Sequence, residues 1–497
     1  MANRNHAHRL LQCLTVAVRP LRVEELAEIL ALNFDGSEGA TPKLNLDWRW
    51  EDRQRAVLSA CSSLITLIDD GDSCVIQFSH FSVKEFLTSD RLSTSKGDLS
   101  HFHIIPHSAH TTFAQACMGT LLQLDGNSDN NQVEGSIPLA RYASRHWVEH
   151  AQFGKVSRIE DGMRSLFDSE KPHFSAWLQL HNIDDGWESF GGFTSEFASP
   201  LYYASLCGFL DLAERIIVKH PEQVNAIGGR NYTPLAAALH KRHFKVADLL
   251  HQHGAAVDVP GDEGRTLLIV ASGFGSTMDA RIDVVRWLLD HGADADVQSQ
   301  GDLLWTPIML AAVNGYLEVV RMLLEHGVHI NAASKHGYTS LSQSTYYGHV
   351  ETVRLLLHHG ADIGTRDENY ETPLHAASSP SRLDLKVARL LLEHNAEVDA
   401  KNKDGRTPLH LASSLGHTEV VRLSLDHGAN PNAEDTEGLT PLHLATSAGN
   451  TEIVRLLLDR DASVDMKNKN GKTPLQMAAM QGSHEIVQML TKHGSPL

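Results

Sequence analysis

The sequence predicts a mostly α-helical protein, in which a solenoid of about nine helical repeats follows a small α+β module and a helical shoulder. A Thr-Pro-Leu-His tetrapeptide, or a variant of it, recurs between residue 197 and the C-terminus. Each copy is followed by two short stretches with the apolar spacing of a helix. The N-terminal residues instead combine three helical stretches with two short strand patterns. These observations divide the chain into residues 1–98, 99–190 and 191–497.

The first residue of the tetrapeptide sets the register of the repeats. Repeats one to nine are marked by Ser199, Thr233, Thr266, Thr306, Thr339, Thr372, Thr407, Thr440 and Thr473. Successive marks are 33 to 35 residues apart, except for 40 residues between the third and the fourth. A period near 33 that carries Thr-Pro-Leu-His is typical of ankyrin repeats, whose unit is a β-turn and two helices. Residues 191–497 therefore resemble an ankyrin array.

Repeat seven, residues 404–433, shows how one copy folds. Gly405 allows the turn, Thr407 caps the first helix, and Pro408 occupies the first helical position, where its missing N–H costs nothing. Gly416 ends that helix. The second helix presents an apolar stripe of Val420, Val421, Leu423 and Leu425. One copy cannot bury both helices, so neighbouring repeats are expected to share a continuous core.

Several repeats depart from this pattern. Repeat three carries an insertion near residues 273–281, and repeat six inserts Ser379-Pro380-Ser381. Repeat five lacks both Pro and His and has Tyr346-Tyr347 where most copies have small residues. The helices of repeat nine turn polar, as a terminal capping repeat requires. We expect the function of the array to lie at these departures.

Composition excludes several classes of function. The net charge is −18, from 43 basic and 61 acidic residues, which does not favour nucleic acid or an anionic membrane as partner. The five cysteines are scattered, odd in number and in no metal-binding spacing, which favours a reducing compartment. Neither a membrane span nor a signal peptide is recognisable. We therefore expect a cytoplasmic protein, with a nuclear location left open.

The N-terminal module has the element order of a winged helix. Helices are predicted within residues 6–33, with a break at Pro20, and from about Asp52 to Ser63. Two strands follow, Ser63–Asp69 and Cys74–Ser79, and then a helix for which Ser82 is the expected cap. The polar stretch Asp35–Leu46 is predicted to be a loop.

Two segments of this module carry a resemblance to a known family. They are RLLQCLTVAVRPLRVEELAEIL, beginning at Arg9, and QFSHFSVKEFLTSDRL, beginning at Gln77. They are similar to the winged-helix region that follows the NTPase module in fungal NACHT proteins, which are NOD-like signalling ATPases that often end in ankyrin arrays. The resemblance implies the sensor arm of such a switch, with an NTPase module, in cis or in trans, as a partner.

The sequence shows no phosphate-binding loop of its own. The one Gly-Lys-Thr run, Gly471-Lys472-Thr473, has Met466 where the first loop glycine should stand, and it falls on a repeat hairpin. No nucleotide or other cofactor is therefore predicted within these residues.

The 31 histidines are better explained by structure than by catalysis or metal binding. His375, His410 and His443 occupy the tetrapeptide. Eight others recur beside the glycines that end the repeat helices: His253, His291, His326, His359, His427 and His493 precede one, and His349 and His417 follow one. No paired Cys-x-x-Cys, His-Glu-x-x-His or nucleophile elbow accompanies them. We predict no catalytic residue, no metal site and no enzymatic activity.

Two alternative functions remain open. A winged helix can bind DNA, but the predicted third helix offers only Arg53 and Arg55 beside Glu51 and Asp52, with no basic cluster. An ankyrin adaptor that presents clients to a modifying enzyme is also possible, although no enzyme-docking motif is recognisable.

The favoured function is recognition of a protein partner by the concave face and hairpin tips of the array, where repeats vary. Trp and Tyr at such positions are anchor candidates. The predicted protein-binding residues, from repeat four to repeat eight, are Leu304, Trp305, Lys335, His336, Tyr338, Tyr346, Tyr347, Arg366, Glu368, Asn369, Glu371, Lys401, Lys403, Asp404, Arg406, Ser414, Leu415, Glu434, Thr436, Glu437, Leu439 and Ser447.

Overall fold

The computed structural model confirms the predicted fold class, with many short helices, little strand and a long series of helical pairs. It describes residues 2–34, 41–45, 48–49, 52–61, 63–69, 74–95, 98–124, 136–153, 159–184, 197–229, 232–273, 278–301, 303–378 and 385–494. The chain forms two compact units, an N-terminal unit of residues 1–256 and a C-terminal unit of residues 257–497. The predicted three-part division of the chain stays a prediction.

The N-terminal unit begins with the predicted three helices and wing. The helices are α1 Ala2–Val16, α2 Val23–Leu30 and α3 Arg53–Cys61; the strands are β1 Leu21–Arg22, β2 Leu32–Asn33, β3 Lys43–Leu44, β4 Ile65–Asp69 and β5 Cys74–Phe78. Strands β1, β5 and β4 form one antiparallel sheet in that order, with Leu21 opposite Ile76 and Leu67 also opposite Ile76. The wing therefore has a third strand, which the sequence patterns did not predict.

Two local predictions for this module were wrong. Within the predicted loop Asp35–Leu46, Lys43–Leu44 is a strand that pairs with β2, because Leu44 lies opposite Leu32; residues 35–40 and 46 lie outside the described part. The helix α4, Phe81–Leu87, is capped by His80 rather than by Ser82. His80 has an extended backbone, and its Nδ1 accepts a hydrogen bond from the Ser82 N–H at 3.2 Å.

Two short segments of the stretch that begins at Arg9 have structural roles: Arg19-Pro20-Leu21 and Glu24-Glu25-Leu26. Pro20 separates α1 from α2, and Leu21 and Leu26 are fully buried. The buried Glu25 carboxylate accepts hydrogen bonds from the Arg22 N–H at 2.7 Å and from the Arg19 guanidinium at 2.9 Å. A buried charge that is paired and hydrogen-bonded in this way holds the turn between the two helices.

A helical shoulder connects the winged helix to the first repeat. After α5 Asp90–Ser93 and the 3-10 turn Asp98–Phe102, it consists of α6 Pro106–Leu121, α7 Ala140–Phe153, α8 Glu160–Leu166 and α9 Pro172–Leu180. Its aromatic core is continuous with repeat one: Trp147 stacks on Phe209 with ring centroids 5.4 Å apart, and Phe174 meets Tyr203 edge-on at 5.7 Å. The Tyr202 hydroxyl donates to the buried Asp184 carboxylate at 2.7 Å. The predicted helical shoulder is therefore present. The sequence also predicts a surface loop at Asp125–Gly135 and a short linker at Asp184–Ser195; apart from Asp184, these residues lie outside the described part of the chain.

Each repeat contributes two antiparallel helices. In the N-terminal unit these are Pro200–Cys207 and Leu210–Lys219 for repeat one, followed by a 3-10 turn Pro221–Asn225, and Pro234–His240 and Phe244–Gln252 for repeat two. In the C-terminal unit, repeats three to nine contain, in order, Leu267–Gly273 and Met278–Asp290, Pro307–Asn314 and Leu317–Glu325, Ser340–Tyr346 and Val350–His358, Pro373–Ala377 and Leu385–Glu393, Pro408–Leu415 and Thr418–Asp426, Pro441–Ser447 and Thr451–Leu458, and Pro474–Gln481 and His484–Lys492. A short 3-10 turn, Asp262–Gly264, precedes repeat three.

The core of the C-terminal unit runs from one repeat to the next, as predicted. Leu409, Val421, Leu442 and Leu475, from three successive repeats, are part of one buried cluster. Leu411 is only half-buried, because it faces away from the second helices. In repeat nine the exposed residues include the predicted polar positions Gln476, Gln488, Thr491 and Lys492.

The tetrapeptide joins neighbouring repeats through its histidine. The His410 Nδ1 accepts the Thr407 backbone N–H at 3.0 Å, while the Thr407 hydroxyl accepts the His410 backbone N–H at 3.4 Å. Because Nδ1 accepts from an N–H, the proton must be on Nε2, which donates to the Leu439 carbonyl of the next repeat at 3.1 Å. His375 bonds the Arg406 carbonyl at 3.0 Å in the same way.

These histidines are held in the neutral form. Burial is the main cause that lowers the pKa of His410 to about 4, and burial also lowers the pKa of His375 and His443. If Nδ1 were protonated, its proton would face the backbone N–H that now donates a hydrogen bond to it. In repeat nine, Gln476 occupies the slot, and its side-chain oxygen accepts the Thr473 N–H at 3.1 Å. Glutamine therefore preserves the cap without a titratable group.

We predict that the array loses less stability in acid when His375, His410 and His443 are all replaced by glutamine. The folded pKa lies below the unfolded value, so the unfolded chain binds more protons as the pH falls from about 6.5 to about 4. His410 alone accounts for a loss of the order of 3 kcal/mol over that window. Urea unfolding between neutral pH and pH 4.5 measures the effect. An equally steep loss of stability in the parent and the triple variant would contradict the prediction.

Candidate protein-interaction surface

The hairpin tips of the C-terminal unit are joined by backbone hydrogen bonds. The N–H of one tip donates to a carbonyl of the preceding tip: Gln300 to Glu263, Lys335 to Leu303, Glu368 to His336, Lys403 to Asn369, Thr436 to Asp404 and Lys469 to Glu437, over 2.6 to 3.2 Å. Seven successive tips are therefore connected in register. A row of tips fixed in this way can present side chains at defined spacing without ordering them on binding.

Several predicted binding residues form hydrogen bonds or ion pairs with neighbouring repeats of the array. Arg366 donates to the Lys401 carbonyl at 3.0 Å and pairs with Glu397 at 3.2 Å. Lys401 donates to the Glu434 carbonyl at 2.9 Å, and the Arg406 guanidinium pairs with the buried Asp435 at 3.3 Å. These side chains connect one tip to the next, so their first role is structural.

Three further predicted residues are paired across the tips of repeats five to seven. The His336 Nδ1 and the Glu368 carboxylate are 2.7 Å apart, and Glu371 accepts from the Asn402 side-chain amide at 3.3 Å. Burial raises the pKa of Glu371, and the nearby Asp367 and Asp404 carboxylates add to that rise. Negative charge is therefore concentrated on the tips of repeats six and seven.

A second row of exposed side chains lies at the ends of the first helices. Tyr346 and Tyr347 are each 39% exposed, and their rings meet edge-on with centroids 5.2 Å apart. Leu415 occupies the position of Tyr347 in repeat seven and is 43% exposed, and Met480 occupies the position of Tyr346 in repeat nine. Ser447 accepts from the Gln481 side-chain amide of the next repeat at 3.0 Å. Large apolar surface is thus exposed beside the tips, which favours a partner surface.

Two tips carry a large residue where other repeats have glycine. The residue two positions before the register mark has a positive φ in Gly264, Gly337, Gly405, Gly438 and Gly471, and also in Leu304 (51°) and Tyr370 (59°). A left-handed backbone disfavours residues with a Cβ, so both side chains stand in strained positions. Tyr370 is also 54% exposed. It was missing from the predicted set, although alignment with the glycines of the other repeats could have revealed it.

The remaining predicted residues divide by exposure. Leu304, Trp305, Tyr338, Ser414 and Leu439 are half-buried, and Trp305 is bonded through its backbone to Ser299, at 2.9 Å to the hydroxyl and 3.0 Å to the N–H. Leu303, rather than Leu304, is the exposed apolar residue of that tip. The exposed members are Lys335, Asn369, Lys403, Asp404, Glu434, Thr436 and Glu437.

Metal-binding clusters and membrane-spanning helices are absent from the part of the chain that the structure describes. Among them, no group of three His, Cys, Asp or Glu side chains could hold a metal ion. A cleft of about 590 Å³ lies between the loops after the second helices of repeats three and four, but its His329 and Asp296 side chains are bound to each other at 2.7 Å. No helix within the described residues is long and apolar enough to cross a membrane.

A buried polar network in the N-terminal unit was not predicted. The Tyr142 hydroxyl accepts from the Val18 N–H at 3.1 Å and contacts the His150 Nε2 at 2.9 Å, and His150 in turn contacts His110 at 2.9 Å. Burial lowers the pKa of His150 to about 3, so it is neutral near pH 7. The network ties α7 to α6 and to the end of α1, which is a structural role.

Comparison with known proteins finds family matches for the repeats and for the N-terminal module. The family described as "Ankyrin repeats (3 copies)" matches residues 201–299, 278–367, 359–435 and 423–496. The family described as "GPI inositol-deacylase, winged helix domain" matches residues 1–100.

Three curated relatives are similar over parts of their length. "Azaphilone pigments biosynthesis cluster protein L" of Monascus ruber is 28% identical over 269 residues, which are 50% of this chain and 55% of the relative. "Ankyrin repeat protein nuc-2" of Neurospora crassa is 31% identical over 102 residues, 20% of this chain and 9% of the relative. "Alpha-latrocrustotoxin-Lt1a" of Latrodectus tredecimguttatus is 36% identical over 64 residues, 13% of this chain and 4% of the relative. The chain thus spans about half of the first relative and less of the others.

We predict that mutating a paired charge on the tips lowers the stability of the array, whereas mutating an exposed charge does not. Arg366→Ala removes a bond to the Lys401 carbonyl and an ion pair, and should lower the free energy of unfolding by about 1 kcal/mol. Lys403→Ala should change it by less than about 0.5 kcal/mol, because an exposed side chain is lost. Urea unfolding compares the two. Equal destabilisation by both substitutions would show that the division is incorrect.

Proposed function

Because the chain belongs to the ankyrin-repeat family, we propose that it is a non-enzymatic protein-recognition scaffold whose partner binds to the hairpin tips and the first helices of repeats four to eight. Ankyrin arrays expose variable residues on a fixed frame, which suits them to hold another protein. The proposed contact set is the one named from the sequence, extended by Leu303 and Tyr370. We place this scaffold in the cytoplasm.

One observation carries this proposal, namely that three aromatic side chains of the array are exposed. Tyr346, Tyr347 and Tyr370 are at least 39% exposed, whereas the equivalent slots of most other repeats hold smaller residues. Aromatic side chains are enriched at the energetic centres of protein interfaces because they bury a large area with little loss of entropy. Their exposure supports an interface.

The N-terminal module supports a narrower proposal, in which the chain is the sensor arm of a NOD-like signalling switch. Its family match covers residues 1–100, and the short helix α4 there leaves Phe81 71% and Phe86 52% exposed. In α4 only Leu87 is buried. We propose that this face packs against an NTPase module, in cis or in trans. Residues 1–98, 99–190 and 191–497 would then act as docking module, connector and sensor.

Site-specific photo-crosslinking tests the recognition surface. We expect a benzophenone side chain at Tyr347 or Leu415 to crosslink a protein partner in extracts of the source cells, and the same probe at Arg354 not to do so. Arg354 is exposed on the second helix of repeat five, away from the tips. The captured protein is then purified and its binding measured with the parent chain.

Two outcomes bear on the proposal. Loss of binding of at least tenfold (about 1.4 kcal/mol) in the double variant Tyr346→Ala, Tyr347→Ala, at unchanged unfolding midpoint, supports it. Equal crosslinking from Arg354 and Tyr347, or full binding by the double variant, would refute it.

A further inference from the structure

Repeats five and six carry four tyrosines on two neighbouring hairpin tips and at the end of one first helix, and we name this set the tyrosine cluster: Tyr338, Tyr346, Tyr347 and Tyr370. Tyr346 and Tyr347 meet edge-on, and Tyr346 is near enough to Tyr338 to raise the pKa of its phenol. Tyr370 follows on the next tip, where its N–H donates to the Asp367 carbonyl at 2.9 Å. The cluster therefore extends from the end of a first helix to a hairpin tip.

The electrostatic surroundings of the tyrosine cluster are acidic. Burial is the main cause that raises the pKa of Tyr338, and the carboxylates of Asp367, Glu368 and Glu371 are the next causes. Two basic side chains of these tips already have partners: Arg366 binds Glu397 and the Lys401 carbonyl, and His336 contacts Glu368. Lys335 and Lys403 are exposed on the adjoining tips of repeats five and seven, so positive charge flanks the cluster on the tip row.

From this arrangement we infer that the tyrosine cluster binds an extended, positively charged segment of the partner protein, whose Lys or Arg side chains lie on the tyrosine rings and face the carboxylates of repeat six. The inference rests on the proposed function and names the chemistry of its partner. A cation is attracted to the face of an aromatic ring, and more strongly where the ring is partly desolvated. The nearby carboxylates add charge complementarity, which favours a cationic segment over an acidic or neutral one.

The strained tip agrees with this inference. Tyr370 stands at φ 59° in a slot where five other tips have glycine, so this backbone does not require a ring there. Its side chain is 54% exposed, and along the chain it lies between Glu368 and Glu371, so a cation bound to this tip can reach it. Leu304 occupies the same slot at φ 51°, which shows that this backbone accommodates leucine as well as tyrosine.

Synthetic peptides test the inference with the full chain. The probes are fluorescent peptides of about twelve residues, roughly 40 Å when extended, built from Gly-Ser-Arg, Gly-Ser-Lys, Gly-Ser-Gln or Gly-Ser-Glu. Anisotropy is measured at an ionic strength of about 0.15 M, which screens long-range attraction to the acidic chain. We expect the Arg and Lys peptides to bind and the Gln and Glu peptides not to bind.

Two sets of substitutions separate ring chemistry from apolar area. With Tyr346, Tyr347 and Tyr370 all changed to phenylalanine, affinity for the Arg peptide should stay within about twofold, because the ring faces remain. With all three changed to leucine, it should fall roughly tenfold, because apolar area remains without the ring quadrupole. The matched charge control, Glu419→Gln with Glu452→Gln on second helices, should bind like the parent. Circular dichroism confirms that each variant is folded.

The inference is overturned if no cationic peptide binds below about 1 mM, if leucine serves as well as phenylalanine, or if the charge control weakens binding as much as the leucine variant. These results leave the proposed function standing, provided that crosslinking from Tyr347 still captures a partner. Conversely, failure of crosslinking with retained, ring-dependent peptide binding would refute the scaffold proposal alone.

Discussion

Repeats six to eight depend on one hydrogen-bonded arrangement, in which a histidine shares its two ring nitrogens between successive repeats. In repeat seven, Nδ1 of His410 accepts from the Thr407 N–H of its own helix start, and Nε2 donates to the Leu439 carbonyl of the next repeat. A backbone N–H can only donate, so this geometry fixes the tautomer. Each histidine therefore caps one helix and sets the distance to the following hairpin, and the buried apolar residues fill the space that results.

The same arrangement explains why departures from the tetrapeptide are tolerated locally. Repeat five has Ser342 in the histidine slot, and its hydroxyl accepts the Thr339 N–H at 2.9 Å, so the cap is kept while the bond to the next repeat is lost. A backbone hydrogen bond between the tips still connects repeat five to repeat six, from the Glu368 N–H to the His336 carbonyl at 2.8 Å. The exposed Tyr346-Tyr347 pair thus occurs where the histidine bond is missing and the backbone ladder holds the register.

The sequence predicted the parts of the fold that repeat. A period near 33, a capping threonine and a terminating glycine are local signals, and nine copies in register reinforce each other, so helix positions such as Pro408–Leu415 followed directly. The short strand Leu21–Arg22 was not predictable in the same way, because its only partner is β5, more than fifty residues away. Serine commonly caps helices, so the sequence favours Ser82, whereas the ring nitrogen of His80 is the cap here.

The candidate site was predictable in position more than in energetics. Register placed Arg366, Lys401 and Arg406 on the tips, but only coordinates reveal that each is bound to a neighbouring repeat. A charge that is already paired contributes less to a new partner than its sequence position suggests, because binding must first break the existing contact. The aromatic residues differ, because the exposed parts of their side chains can be covered by a partner.

Strain and exposure together distinguish Tyr370 from the other tip residues. A glycine would satisfy the left-handed backbone, as it does in Gly405 and Gly438, so the backbone alone gives no reason for a tyrosine there. Burial gives none either, because more than half of the side chain is exposed. A strained and exposed residue of this kind is a candidate for contact with a partner. Regular repeats such as seven and eight can supply the stability that this position gives up, because adjacent repeats share one core.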